Sequence, residues 1–262
     1  MNYKYTTVAG SGVLGSQIAD VDVVVIDRAN HNLFQPLLYQ VATTVISPAQ
    51  IASRNEDHRD AALGYDILVI ATGVAHSYFG HDEFAEFAPG LKGLADAVRI
   101  RNKVLKAFEQ AEAKDDPSRR QAFTTFILVG AGPTGVELAS SLAVLVRTKL
   151  KAEFRRINLA ATRIVLVDMA PRILGSFASE LSEAAKRRLE NLGVEVRLGQ
   201  SVDQIDADGV VVGGERIASK VLIWTAGVAP SPAGKWLNVD TTAPAASAFK
   251  TISRFPDIRT YT

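Results

Sequence analysis

Residues 124–168 carry the pattern that most restricts what this chain can become. An apolar, β-branched run, Thr124 to Val129, leads into the loop Gly130-Ala131-Gly132-Pro133-Thr134-Gly135. A helical stretch from about Gly135 to Leu150 follows, and then a second strand, Arg163 to Asp168, closed by a carboxylate. In a strand–G-x-G-x-x-G–helix unit the first glycine permits a tight turn and the second lets a pyrophosphate approach the backbone. The third lets the helix pack closely on the strand, and the phosphates meet the unpaired N–H groups at the positive end of that helix. A carboxylate at the tip of the next strand accepts hydrogen bonds from both hydroxyls of an adenosine ribose and repels a 2′-phosphate. Gly130, Gly132, Pro133, Thr134, Gly135 and Asp168 are therefore the expected contacts of an NADH-type dinucleotide. Asp168 stands 33 residues beyond Gly135 (168 minus 135), against roughly 20 in the compact form of the pattern. A lengthened helix and the loop Asn158 to Thr162 account for the excess. Arg172 is the nearest cation placed for a 2′-phosphate, but Asp168 would oppose it.

The alternation continues with a helix at Leu181 to Leu192 and a strand at Val194 to Leu198, completing the βαβαβ order of a doubly wound parallel sheet. Val202 to Ile205, Gly209 to Val212 and Glu215 to Ile217, separated by turn residues, read as a small antiparallel meander. Val221 to Trp224 returns as a strand and runs into a small-residue turn that includes Gly227.

The same signature occurs about 120 residues earlier (130 minus 10). Gly10-Ser11-Gly12-Val13-Leu14-Gly15 follows the weakly apolar run Lys4 to Ala9, and Asp27 closes the strand Val21 to Ile26. Only Ser16 to Asp20 separate Gly15 from Val21, whereas a crossover helix with its turns takes roughly 10 to 12 residues. The first loop thus reads in two ways, as a second dinucleotide site or as a distorted loop that binds nothing. Ile67 to Ala71 is a further buried strand. Ala95 to Ala113 spaces Val98, Ile100, Val104, Leu105 and Phe108 mostly along one helical face, and the polar turn Lys114 to Arg119 ends it. The fold class is α/β, with two Rossmann-like dinucleotide-binding domains, the first shortened and incomplete. The expected divisions are 1–118, 119–229 and a final stretch, 230–262, that starts a return to the first domain and is truncated.

Lys plus Arg (29) nearly balance Asp plus Glu (28), so no general field favours nucleic acid. The chain has no cysteine, which excludes thiol chemistry within it. The start Met1 to Thr7 carries no targeting pattern, and no run reaches the ~18 apolar residues of a spanning helix. His76 and His81, with Asp82, do not share a helical face, so no metal site is expected. Trp224 and Trp236 read as packing residues.

Two stretches go beyond generic glycine loops. They are Asn30-His31-Asn32-Leu33-Phe34-Gln35-Pro36-Leu37-Leu38-Tyr39-Gln40-Val41-Ala42-Thr43, and Ala71-Thr72-Gly73 leading to His76-Ser77-Tyr78-Phe79-Gly80-His81-Asp82-Glu83. With Gly130 to Glu137 they resemble the type II NADH dehydrogenases, single-subunit flavoprotein NADH:quinone oxidoreductases, over almost the whole chain to about Trp236. The resemblance implies FAD on the first fold and NADH on the second. Hydride would pass from NADH to the flavin and two electrons onward to a quinone, in a respiratory chain and without proton pumping. It implies that Gly10, Gly12 and Gly15 meet the FAD pyrophosphate and that Asp27 meets its ribose. Gln40 to Thr43, and Thr72 with Gly73, would lie along the flavin, and Gly227 would join the cofactor contacts. Glu137 matches the family's acidic residue near nicotinamide and flavin, thought to assist proton delivery; the plainer reading makes it a first-turn carboxylate complementing its helix dipole. A homodimer is implied, together with a cytoplasmic location or a peripheral one on the cytoplasmic face of a membrane, the latter through C-terminal helices.

Three departures from the family qualify this. The first helix is short, the segment between Ile51 and Tyr65 holds only the polar connection Asn55 to Gly64, and the chain stops at Thr262. That point precedes the family's flavin-binding glycine-aspartate motif, its quinone-site residues and its membrane-binding helices. The expectation is an intact NADH domain, with reduced FAD affinity and weak or absent quinone reductase activity in this chain alone. The alternative is a non-catalytic NADH-binding fragment.

Overall fold

The computed structural model describes residues 6–9, 23–26, 31–33, 35–50, 52–54, 67–70, 73–150 and 153–230. These form two compact units. The first gathers the described residues of Met1–Gln35, Ala49–Ala75 and Val228–Thr262. Its strands are β1 (Thr6–Ala9), β2 (Val23–Ile26), β3 (His31–Leu33), β4 (Ala52–Arg54), β5 (Ile67–Ile70) and β6 (Val74–His76), whose last residue opens the second unit. The chain returns to the first unit at Val228. Strand β1 lies between β2 and β5, parallel to both, with Thr6 opposite Val23 on one side and Ile67 on the other. Strands β3 and β4 form an antiparallel pair, His31 opposite Arg54. Thirteen residues (23 minus 9 minus 1) connect β1 to β2. Parallel neighbours need a crossover of about a dozen residues, so the whole connection, with the glycine loop counted in it and β2 starting two residues later than the apolar run, has that length at its lower limit, although only Ser16 to Asp20 separate Gly15 from Val21. Gly10, Gly12, Gly15, Asp27 and Thr72 lie outside the described residues, as does Trp236.

The second unit comprises Pro36–Pro48 and His76–Gly227. It contains α1 (Leu38–Ala42), α2 (Leu94–Ala113), α3 (Pro117–Phe123), β7 (Thr125–Val129), α4 (Pro133–Val144), β8 (Arg163–Asp168), α5 (Ser179–Asn191) and β9 (Val194–Leu198). The meander β10 (Val202–Asp206), β11 (Gly209–Val212) and β12 (Glu215–Ala218) follows, then β13 (Val221–Trp224); β14 (Val228–Pro230) belongs to the first unit. The main sheet has the order β13-β7-β8-β9, parallel throughout. Every residue of β7 and β13 is buried, as expected of parallel strands covered on both faces. One face, carrying Ile127, Val129, Val165 and Val167, packs against Ile205, Val210, Val212 and Ile217 of the meander. Four such side chains, at about 1.5–3 kcal/mol each, suffice to fix the meander to the sheet. On the other face Phe126 meets Phe108 of α2, ring centroids 5.1 Å apart.

That contact groups α2 by packing with the second unit, rather than with the first domain where its place in the chain puts it. Its Ile100, Val104 and Phe108 are buried. Its start is held by Asp96, whose carboxylate accepts from the N–H groups of Gly93 (2.9 Å) and Lys92 (3.0 Å). The polar turn expected at Lys114 to Arg119 is partly helical. Asp116 caps α3 by accepting from the Ser118 N–H at 2.9 Å, and Pro117 occupies the first helical position, where its missing donor costs nothing. For the same reason α4 begins at Pro133, two residues before the helix read from the sequence, and it continues as a π-helical turn, Leu145–Lys149.

Candidate nucleotide-binding site

The carboxyl ends of β7, β8 and β13 converge on the glycine loop. Gly130 has φ +109°, and a side chain there would bring its Cβ within 2.5 Å of the Ala226 nitrogen. Its own N–H donates to the Val167 carbonyl at 2.8 Å. Gly135 packs against the Gly130 carbonyl so tightly that a Cβ would overlap it. Gly132 differs: its backbone is extended, and a Cβ there would meet nothing within 4 Å. Two glycines are thus required by contacts inside the protein, while the middle one leaves an open face at the head of α4. No side chain caps that helix end, and the first-turn N–H groups of Thr134 and Gly135 precede any intrahelical acceptor. An open backbone face beside uncapped N–H groups fits a pyrophosphate.

The remaining loop residue is clamped. The Ala131 N–H donates to Asp168 Oδ2 at 2.6 Å, and its carbonyl accepts from the Leu174 N–H at 2.8 Å. Asp168 Oδ1 accepts from the Ala170 N–H at 2.8 Å. The residue expected to receive a ribose therefore also ties the glycine loop to the end of β8. A carboxylate has about four acceptor positions, so capacity for two hydroxyls remains. Thr225, which the sequence reading passed over, closes the other side, its hydroxyl lying 2.8 Å from the Gly130 carbonyl and 2.9 Å from that of Val129. Its one signal in the sequence is its place after an apolar strand and before Ala226-Gly227. Leu174, with φ +50°, gave no such signal.

Glu137 lies on the exposed side of α4, one turn past the helix start. Desolvation by the surrounding protein raises its pKa above the usual carboxylate value. With the helix beginning at Pro133, Glu137 stands outside the first turn, where a carboxylate complements the helix dipole most strongly.

The structure brings Gly130, Gly132, Pro133, Thr134, Gly135, Glu137, Asp168 and Gly227 to one end of the second unit. Gln40 and Thr43 sit on and just after α1, which packs against α2 and α4. Thr43 is buried, its hydroxyl donating to the Tyr39 carbonyl at 2.8 Å, and Gln40 Nε2 donates to the Tyr39 hydroxyl at 3.0 Å. Gly73, in the first unit, has φ +70° with open space where a side chain would stand. Trp224 is buried, and its Nε1 donates to the Ser77 carbonyl at 2.9 Å, a packing role as read. His76 faces Asp96 at 3.7 Å, and His81 Nδ1 lies 3.1 Å from Glu83, so the two histidines have separate partners. Among the described residues no group of three or more His, Cys, Asp or Glu is placed to hold a metal ion, and no helix is long and apolar enough to cross a membrane.

A doubly wound sheet with a glycine loop and an acid-tipped second strand, together with a second parallel three-stranded sheet, defines the class of dinucleotide-binding folds. The sequence model of the pyridine nucleotide-disulphide oxidoreductases matches residues 11–244, and the chain belongs to that family. It is similar to the type II NADH:quinone oxidoreductase Ndh of Mycobacterium tuberculosis, 43% identical over 252 residues, covering 83% of this chain and 54% of that one. NdhA of the same organism is 40% identical, covering 84% and 54%. The chain thus spans about half the length of the curated relatives it matches. Among solved structures it resembles NDH2 of Plasmodium falciparum in complex with RYL-552, with a TM-score of 0.78 and 20% identity over 88% of this chain and 56% of that one. The sulfide:quinone oxidoreductase of Aquifex aeolicus gives a TM-score of 0.63 at 16% identity, over 85% and 58%. Likeness at these identities speaks for the fold.

Proposed function

We propose that the protein oxidises NADH, passing a hydride to FAD and two electrons onward to a quinone. The observation that carries this is the opening at Gly132, flanked by glycines that have no room for a side chain and set between the head of α4 and the Asp168 carboxylate. The named activity of the relatives at 43% and 40% identity supports the same reading. In this account the N–H groups at the head of α4 hold the pyrophosphate, with Pro133 setting the helix start. Asp168 receives the adenosine ribose and disfavours NADPH, while Gly227 borders the nicotinamide half.

FAD supplies the two-electron acceptor. In the first unit the left-handed, unobstructed backbone of Gly73 suits close approach of a cofactor; Gln40 and Thr43, which belong to the second unit, are expected contacts on the family resemblance alone. Gly10, Gly12, Gly15, Asp27 and Thr72 complete the proposed set. Glu137 is the carboxyl proposed to assist proton delivery to the quinone, and partial desolvation shifts its pKa upward, the direction that favours carrying a proton. A homodimer, and attachment to the cytoplasmic face of a membrane, belong to the same proposal.

The test is an absorption spectrum of the purified chain followed by anaerobic addition of NADH. A flavin band that NADH bleaches, and that a quinone restores, is the expected result. A chain without flavin that still binds NADH would refute the oxidoreductase reading for this chain and leave an NADH-binding module.

A further inference from the structure

Tyr78, Phe79, Gly80 and His81 form a tight turn in which the His81 N–H donates to the Tyr78 carbonyl at 3.1 Å. Both central residues have positive φ, +55° at Phe79 and +93° at Gly80, the pattern of a type I′ turn. Such turns favour Asn-Gly, and a bulky side chain at the first central position opposes the local preference. Burial does not explain the choice, since Phe79 is 68% exposed. Nor does Trp224 need the ring as a cover. That indole is already buried beside Tyr78, at 5.0 Å between centroids, and Phe84, at 6.0 Å, with Phe79 farther off at 6.4 Å. The Phe79 ring lies instead over Gly227, where a Cβ would come within 2.6 Å of Phe79 Cζ.

Gly227 follows β13, the neighbour of β7 on the side opposite β8. If the adenosine ribose goes to Asp168 at the end of β8 and the pyrophosphate lies over Gly132, the rest of the dinucleotide must extend past the end of β13. We propose that the Phe79 ring is the apolar wall against which the nicotinamide half of the dinucleotide lies. The inference rests on the NADH reading given above. The Phe79 N–H reaches only the Ser77 hydroxyl, at 3.4 Å; residues kept in an unfavourable backbone region concentrate where a ligand needs them, and an exposed aromatic face is suited to a flat heteroaromatic ring.

The test compares wild type with Phe79→Asn, which supplies the residue the turn prefers and removes the ring, and with Phe79→Leu, which keeps an apolar side chain. Calorimetric titrations use NADH and ADP-ribose, the latter lacking the nicotinamide. Phe79→Asn should melt at the wild-type temperature or higher and bind NADH about tenfold more weakly, the size of a lost base–aromatic stack. Its ADP-ribose affinity should stay within about twofold of wild type, and Phe79→Leu should fall between the two for NADH. Wild-type affinity of Phe79→Asn for NADH, or equal loss of NADH and ADP-ribose, would overturn the assignment while leaving NADH binding intact. A wild-type chain that binds neither ligand would overturn the NADH reading itself, and this inference with it.

Discussion

Replacing Asp168 by Asn separates two jobs that the carboxylate performs. Its oxygens accept from the Ala131 N–H at 2.6 Å and from the Ala170 N–H at 2.8 Å. An amide has one acceptor oxygen, so one of these N–H groups must face an NH2 and lose its partner. Hydrogen bonds to a charged group contribute about 1.5–3 kcal/mol, and an unsatisfied donor costs a similar amount. Part-burial of the site lets water recover some of that, so we predict a loss of about 2 kcal/mol for Asp168→Asn. In a protein of this size that lowers Tm by about 4–8 °C, read by calorimetry. Titrations of the same variant should show weaker NADH binding and a smaller preference for NADH over NADPH, because the charge opposing a 2′-phosphate is gone. An unchanged Tm would refute the loop-anchoring argument. A lowered Tm with an unchanged coenzyme ratio would refute the ribose argument alone.

Three further predictions follow from single contacts. Gly135→Ala forces a methyl group into the Gly130 carbonyl and should cost about 3 kcal/mol, checked by urea unfolding; a loss below 1 kcal/mol, on the order of an ordinary surface change, would contradict the packing. Glu137→Gln should leave NADH affinity unchanged and abolish one ionisation in the pH profile of quinone reduction; because partial desolvation raises the Glu137 pKa, that ionisation should lie above 4.5, the ordinary carboxylate value. The group's folded-state pKa exceeds its unfolded value, so stability falls as pH rises between the two, and Glu137→Gln should remove that dependence. Lys103, whose Nζ donates to the Phe87 carbonyl at 2.6 Å, has its pKa lowered to about 8, first by burial and then by Arg99. The unfolded chain binds the extra proton, so stability should increase with pH from about 8 to the unfolded value near 10.4, and Lys103→Met should lack that rise in pH-dependent unfolding.

The sheet of the second unit was legible because its signals are local and repeat: β8, β9 and β13 occupy the residues read from apolar runs and turn signals. The meander was legible for the same reason. Helix α3 was missed although Asp116-Pro117 is a cap followed by a first-position proline, since the seven residues of the helix carry little apolar pattern. The three glycines of the second loop could be named from their spacing, but which of them faces open space depends on Ala226, Thr225 and the Gly130 carbonyl, brought there by β13 about 95 residues later. Asp168 was recognised as an acid at a strand tip, yet its bond to Ala131 spans 37 residues and has no sequence signature. The left-handed turn at Phe79 was equally hidden, because an aromatic residue is a poor predictor of positive φ.

Whether a dinucleotide lies over Gly132 is decided by calorimetric titration of Gly132→Ala with NADH beside the wild type. The extended backbone and open space at Gly132 accept a methyl group, and the gain from restricting the unfolded chain is offset by alanine's poorer fitness at the N-cap position, so the variant should stay within about 1 kcal/mol of wild-type stability. The methyl group would occupy the surface a pyrophosphate needs, and NADH binding should fall by at least about tenfold, equivalent to 1.4 kcal/mol. A stable Gly132→Ala protein that binds NADH as tightly as wild type would contradict the account.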